Sequence, residues 1–283
     1  MPESTEQRAY LLIEELRADI DFELDDVLHQ IVRDLPEEYF QRLQRDDQLT
    51  HLKALLALNI CQLKEEIFMP SEDGRFVAVV GRQNYTGLLA SILKRLPKDD
   101  PLIGAKIFTS TKNDFIIDLF EYDADTSASD QDSFDSYAIE KTKEKVVQEV
   151  GCDRSVLDAF VQHYPNSSPV LTNASELRDH FNAYQAIDDR NGLAVQSRDS
   201  GIEGRLKLIV ATRDVNARKV VLQAAEYMAS QKISIEQAFL NDLHVSGQPK
   251  TSICSFRVVS ENNGDTAETL TTGIQGFFES EPG

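Results

Sequence analysis

The stretch Phe76–Pro97, "FVAVVGRQNYTGLLASILKRLP", decides the fold. Its first five residues are apolar and rich in valine, as a buried strand requires. Leu88, Leu89, Ile92, Leu93 and Leu96 then recur at the three- and four-residue spacing of one helix face, and Pro97 stops the helix. Downstream, "IGAKIFTSTK" and "FIIDLFEYD" read as two strands joined through Asn113-Asp114, a dipeptide that tolerates the positive φ of a tight turn.

The same texture returns later in the chain. "RLKLIVATRD" reads as a strand, "NARKVVLQAAEYMASQ" as a helix, and "ISIEQAFLNDLHV" and "TSICSFRVVS" as strands around "SGQPK". The two passages superimpose without a gap from the first strand through the helix. Tyr85, Leu88, Leu89, Ile92, Leu93 and Leu96 fall on Ala217, Val220, Val221, Ala224, Ala225 and Met228. Asn84 falls on Asn216, where an Asn side chain caps free backbone N–H groups. The chain therefore contains an internal repeat whose units begin strand–helix–strand–strand, and we expect two sheets, each with helices on one face, whose open edges pair with another copy or with each other.

Around the repeat the pattern is helical. From Glu6 to about Leu63, Leu12, Leu16, Ile20, Leu24, Val27, Leu28, Ile31 and Leu35 follow helical spacing, with a break at Pro36. "YAIEKTKEKVVQEV" closes the first unit as a helix, and "SVLDAFVQHY" and "ASELRDHFNAYQAI" read as two more between the units. These elements divide the chain into a helical region 1–66, a first unit 67–150, a helical connector 151–200 and a second unit 201–283. Neither unit shows a clear final strand, and the second ends as though inside a helix, at "GIQGFFESEPG".

Composition limits the function classes. A formal net charge of −19 over 283 residues repels nucleic acid and anionic membranes alike. No run approaches the roughly 20 apolar residues that span a bilayer, and the charged N-terminus is not a secretion signal. The three cysteines, Cys61, Cys152 and Cys254, are far apart, which suits reduced thiols and a cytoplasmic location.

Catalytic and metal signatures are missing from the sequence. The five histidines, His29, His51, His163, His180 and His244, lie in no metal-binding spacing, and His51 reads as a packing or capping residue on its helix. The acidic segment "DADTSASDQDSFDS" opens like a calcium loop, with Asp123, Asp125 and Ser127 at alternate positions. Ala128 stands where that loop needs glycine, and Phe134 where it needs a bidentate glutamate, so no metal is expected. No phosphate-binding glycine motif and no nucleophile elbow occur. We expect no catalysis and no cofactor in this chain alone.

The candidate binding site is the loop before the first repeat helix. Arg82, Asn84, Thr86 and Gly87 lie between an apolar strand and an apolar helix face. A helix start offers unpaired N–H groups and the positive end of the dipole, an environment suited to a carboxylate. Glycine costs roughly 1 kcal/mol against alanine in a helix, so Gly87 implies close approach by a ligand or a neighbouring chain, or close packing of helix on strand. Valine there is expected to change helix propensity by only a few tenths of a kcal/mol. The second unit carries Lys219 at the matching position.

The unit order and "NYTGLL" at the helix start resemble ACT domains, small amino-acid-sensing modules. A second resemblance covers roughly residues 39–150. "EEYFQRLQRDDQLTHLKALLALN", "YTGLLASILKRLP" and "AKIFTSTKNDFIIDLFEYD" are similar to the N-terminal region of large NAD-dependent glutamate dehydrogenases, in which ACT-like units joined by helices precede the catalytic part. The resemblance implies an α+β chain of two ACT-like (ferredoxin-like β-α-β-β) units with a helical N-terminal part and a helical connector. It implies a non-catalytic regulatory region that senses an amino-acid effector at Arg82, Asn84, Thr86 and Gly87, or mediates subunit assembly, including homo-oligomers. NAD belongs only to an attached catalytic dehydrogenase region. The alternative is a protein-interaction scaffold without a small-molecule ligand.

Overall fold

The computed structural model describes residues 11–16, 25–35, 39–40, 45–71, 76–97, 102–109, 115–122, 136–164, 168–187, 192–200, 204–243, 250–260 and 267–280. The stretches expected as strands are strands: β2 (Phe76–Gly81), β3 (Leu102–Thr109) and β4 (Ile116–Tyr122) in the first half, β6 (Arg205–Arg213), β7 (Ile233–Leu243) and β8 (Thr251–Ser260) in the second. Two more join them, β1 (Ile67–Pro70) and β5 (Leu193–Asp199). The helices are α1 (Asp25–Asp34), α2 (Arg45–Ile60), α3 (Leu88–Arg95), α4 (Ser136–Val150), α5 (Arg154–Val161), α6 (Ala174–Gln185), α7 (Ala217–Ser230) and α8 (Ala267–Ser280), with a 3-10 turn at Pro169–Thr172. The calcium-like segment, the Asn113-Asp114 turn and Pro36 lie outside the described residues.

The strands form one antiparallel sheet in the order β1-β2-β4-β3-β7-β8-β6-β5. Read inward from either edge, the order is the same: β1-β2-β4-β3 from one side and β5-β6-β8-β7 from the other. The halves meet where β3 pairs with β7, through Gly104↔Asn241, Ala105↔Leu240 and Lys106↔Phe239. The two units thus pair with each other, one of the two pairings expected, and form one sheet in place of two. An exposed sheet edge is a row of unpaired N–H and C=O groups, and pairing β3 with β7 satisfies one such row from each half within a single chain.

The fourth strand of each half comes first in sequence. β1 flanks β2, and β5 flanks β6, at the position where a final strand had been sought. Residues 193–199, read from sequence as part of a helical connector, are this strand for the second half.

Both faces of the sheet are covered, whereas helices on one face were expected. On one side α3, α7 and α8 pack over both halves, burying Val79, Ile107 and Phe120 together with Leu208, Val210 and Phe256 in one continuous core. On the other side α1, α2 and residues 11–16 cover the first half around Val80, Phe108 and Ile117. The helices α4, α5 and α6 cover the second half around Ile209, Ala211 and Ile253. Burial on both faces explains why the central strands read as continuous apolar runs rather than as an alternation.

The repeat is real in the helices but slips in the strands. Leu88, Leu89, Ile92 and Leu93 are buried, as are their matches Val220, Val221, Ala224 and Ala225. Val79 faces the helix layer with α3, yet its gapless match Ala211 faces the opposite layer. Side chains alternate along a strand, so a one-residue shift exchanges the faces. The true counterpart of Val79 is Val210, which faces the α7 side. The difference is taken up before the helix, because α3 begins at Leu88 whereas α7 begins at Ala217.

The helices α3 and α7 lie over the seam. Arg218, at the start of α7, donates to the carbonyls of Leu93, Leu96 and Pro97 at the end of α3, the Leu96 bond being 2.9 Å. The last carbonyls of a helix lack intrahelical partners and carry the negative end of the dipole, so a guanidinium there satisfies both. Lys94 and Glu226 form an ion pair at 2.6 Å across the same contact.

Candidate functional site

A cavity of about 20 Å³ opens at the other end of α3, between the two halves of the chain. Asn84 and Gly87 at the helix start and Thr109 and Asp118 on β3 and β4 line it from the first half. Ala225 on α7 and Ile233 on β7 close it from the second. A cavity of this size holds about one water-sized group.

Two of the four sequence-derived site residues therefore line the cavity, Asn84 and Gly87. Arg82 turns elsewhere and donates to Gln62 Oε1 at 2.9 Å. Thr86 is half-buried beside the cavity without lining it. Asn84 is not the helix cap it was expected to be. The cap position belongs to Gly87, without a side-chain hydrogen bond, after a turn in which Leu88 N–H donates to the Tyr85 carbonyl at 3.0 Å. In the second half Asn216 does cap α7, accepting from Arg218 N–H at 2.9 Å.

Gly87 has a reason that was not anticipated. Its φ is 91°, in the left-handed region that glycine adopts freely and other L-residues avoid. A Cβ placed there would also lie 3.4 Å from the Ala229 Cβ of α7. That is an ordinary contact, so the backbone conformation rather than a close approach is what calls for glycine, and the neighbour is the other half of the same chain. The small helix-propensity cost expected for valine is consequently corrected to a larger one, because the backbone itself is strained by any side chain.

Asp118 is the residue that sequence reasoning missed. It sits in the middle of β4 opposite Val79 and Ile107, on the face covered by α3 and α7. Only 1% of it is exposed, and its Oδ1 has no hydrogen-bond partner. Burial pushes its carboxyl well above the usual range, and a hydrogen bond with the Phe108 backbone offsets part of that rise. A single carboxylate inside the apolar run "FIIDLF" was the available signal. Its strand-pairing counterpart in the second half is Cys254, which pairs with Val210 as Asp118 pairs with Val79. Cys254 is buried with its thiol pushed up chiefly by burial, while Cys61 is exposed and Cys152 half-buried, and all three are free.

Several other buried polar groups pair within the protein, although Thr212 Oγ1 and His180 Nε2 are buried without a hydrogen bond. On the far face, Lys207 of β6 bonds Asp179 at 2.5 Å and Glu176 at 2.8 Å, both on α6. His180 is wholly buried there, with Nδ1 3.0 Å from the Tyr164 hydroxyl, so solvent and substrates do not reach it. His51 is buried 3.4 Å from the Tyr39 hydroxyl, as expected of a packing residue. Burial depresses both histidines to about 4. Among the described residues no group of three or more His, Cys, Asp or Glu side chains is placed to hold a metal ion, and no helix is long and apolar enough to cross a membrane. No protein-family model matches the chain, and no characterised protein shows significant similarity to it.

Proposed function

We propose that the chain is a non-catalytic regulatory region of a glutamate dehydrogenase-type enzyme, built from two ACT-like units that pair within one polypeptide. The observation that carries this reading is the edge-to-edge joining of two halves of like strand order through β3 and β7, with α3 and α7 antiparallel over the seam. Side-by-side pairing is the arrangement by which ACT-like units cover their edges. The cavity at the seam is lined from both halves, so a ligand there would bridge them, and regulation would require its affinity to differ between two states of the chain. Assembly with further subunits or with a dehydrogenase region would use the outer edges or the helical layers, since the inner edges are consumed.

Thermal unfolding of the purified chain with each free amino acid at millimolar concentration tests the reading. The expected result is a raised melting temperature with one or a few small amino acids and no NAD-dependent oxidation of glutamate. A melt indifferent to all of them favours the second reading, a protein-interaction scaffold. The small volume of the cavity is the observation on that side, because a whole amino acid enters only if the seam widens.

A further inference from the structure

We infer that Asp118 anchors the ammonium group of a small amine-bearing ligand, inserted between the start of α3 and α7. The inference rests on the regulatory reading for its biological context and on the cavity for its chemistry. A helix start suggests a carboxylate ligand, but the cavity carries the opposite signature. Among the described residues, no lysine, arginine or histidine lines it, and its one carboxylate, on Asp118, has an oxygen with no partner. A buried polar atom left unmatched is costly, so this oxygen is the strongest demand for a donor in the pocket.

Size and composition narrow the donor. The cavity takes one water-sized group, and an –NH3⁺ head is of that size. Thr109 and Asn84 add oxygen acceptors to Asp118, so the three N–H donors of an ammonium have candidates to meet. A hard divalent cation wants six or more oxygens in a shell, which this largely apolar lining does not provide. The net charge of −19 further favours a cation over an anion.

The amine head leaves the rest of the ligand at the rim, beside Tyr85, which is 44% exposed. Tyr85 is the other ionisable side chain lining the cavity, and its hydroxyl donates to Glu66 at 3.5 Å rather than to Asp118. Among the described residues, Asp118 therefore faces no other charge from β2, α3, β3, α7 or β7 across the cavity. Without a ligand, burial favours the neutral carboxyl. When R–NH3⁺ enters, the carboxyl loses that proton to the buffer and becomes the carboxylate partner of the ammonium. One proton is released per ligand bound, and affinity rises with pH.

Calorimetry and thermal unfolding with methylammonium, glycine, acetate and tetramethylammonium, on the wild-type chain and on Asp118→Asn, test this. Methylammonium and glycine are expected to bind the wild type and release about one proton, read from the dependence of heat on buffer ionisation. Asp118→Asn should weaken them at least tenfold while melting at or above the wild-type temperature, and acetate and tetramethylammonium should have no effect. Equal binding to both proteins overturns the inference, as does acetate binding in place of the amines. If no probe binds, the cavity holds water only and the inference is also lost. The regulatory reading fails separately: amines that bind through Asp118 without altering a dehydrogenase carrying this chain would leave the site standing alone. Amino acids that regulate wild type and Asp118→Asn alike would remove the site and keep the reading.

Discussion

At the scale of single residues, Gly87 and Asp118 both break a local rule, and the tertiary structure explains each differently. Gly87 is required by its own backbone. Gly87→Ala is expected to lower stability by about 1–2 kcal/mol, the usual cost of a left-handed L-residue, while its Cβ would meet Ala229 at an ordinary contact distance. Chemical denaturation of the variant checks this, and a stability equal to wild type would mean that the turn relaxes. Asp118 is tolerated rather than required by the fold. Its folded-state pKa is raised above the ordinary value of 3.8, so the unfolded chain gives up this proton first as pH rises. The stability associated with the neutral carboxyl is whole below about pH 4 and falls as pH climbs toward the folded-state pKa. Asp118→Asn lacks that fall. Melts of both proteins between pH 4 and 8 should coincide at the acid end and diverge by about 1–3 kcal/mol at neutral pH, the variant being more stable.

At the scale of elements, the helices are defined by what they touch. α8 contains Gly273, which intrinsic propensity alone would replace by alanine for a gain of roughly 1 kcal/mol. A Cβ at that position would lie 1.7 Å from the Tyr227 hydroxyl oxygen of α7. Gly273→Ala should therefore destabilise by about 1–3 kcal/mol through overpacking, and Tyr227→Ala in the same protein should recover part of the loss. A variant more stable than wild type would show that α8 shifts freely on α7. Arg218 plays the complementary part at the seam, where its guanidinium ties the end of α3 to the start of α7 and makes the two halves one structural unit.

At the scale of the whole molecule, one face of the sheet carries a buried histidine over each half, and the pair sets the response to acid. His51 lies in the layer over the first half and His180 in the layer over the second, both buried and neutral with pKa values pushed down to about 4. The unfolded chain protonates its histidines near 6.5, so between there and about 4 it binds more protons than the folded chain. Stability is then lost progressively as pH falls through that window, by up to about 3 kcal/mol for each histidine. Below it, Asp179 adds a further loss, since Lys207 and Arg198 outweigh its desolvation and hold its carboxyl below the ordinary range. The double variant His51→Gln, His180→Gln should show a flatter stability profile from pH 6.5 to 4, measured by denaturant unfolding at each pH. An unchanged slope would show that neither histidine is buried in the neutral form.

The sequence by itself determined the α+β class, six of the strands, the repeat helices and the helical layers, because each follows from a local period of apolar side chains. It also placed two residues of the seam cavity, Asn84 and Gly87, through the polar loop between an apolar strand and an apolar helix. It did not reveal β1 and β5. Both flank the sheet, β1 is only four residues long and nowhere fully buried, and β5 ends in the polar run "QSRD", so neither carries a strong apolar pattern. The one-residue slip between the repeats was hidden for a related reason: helix spacing survives the slip while strand facing inverts. Only the tertiary structure decided that the two halves share one sheet, since β3 and β7 are far apart in sequence and their pairing is satisfied through backbone groups that every residue possesses. The same pairing brings Asp118 beneath α3 and α7 and leaves its oxygen alone between two halves of the chain, a juxtaposition that no local pattern encodes.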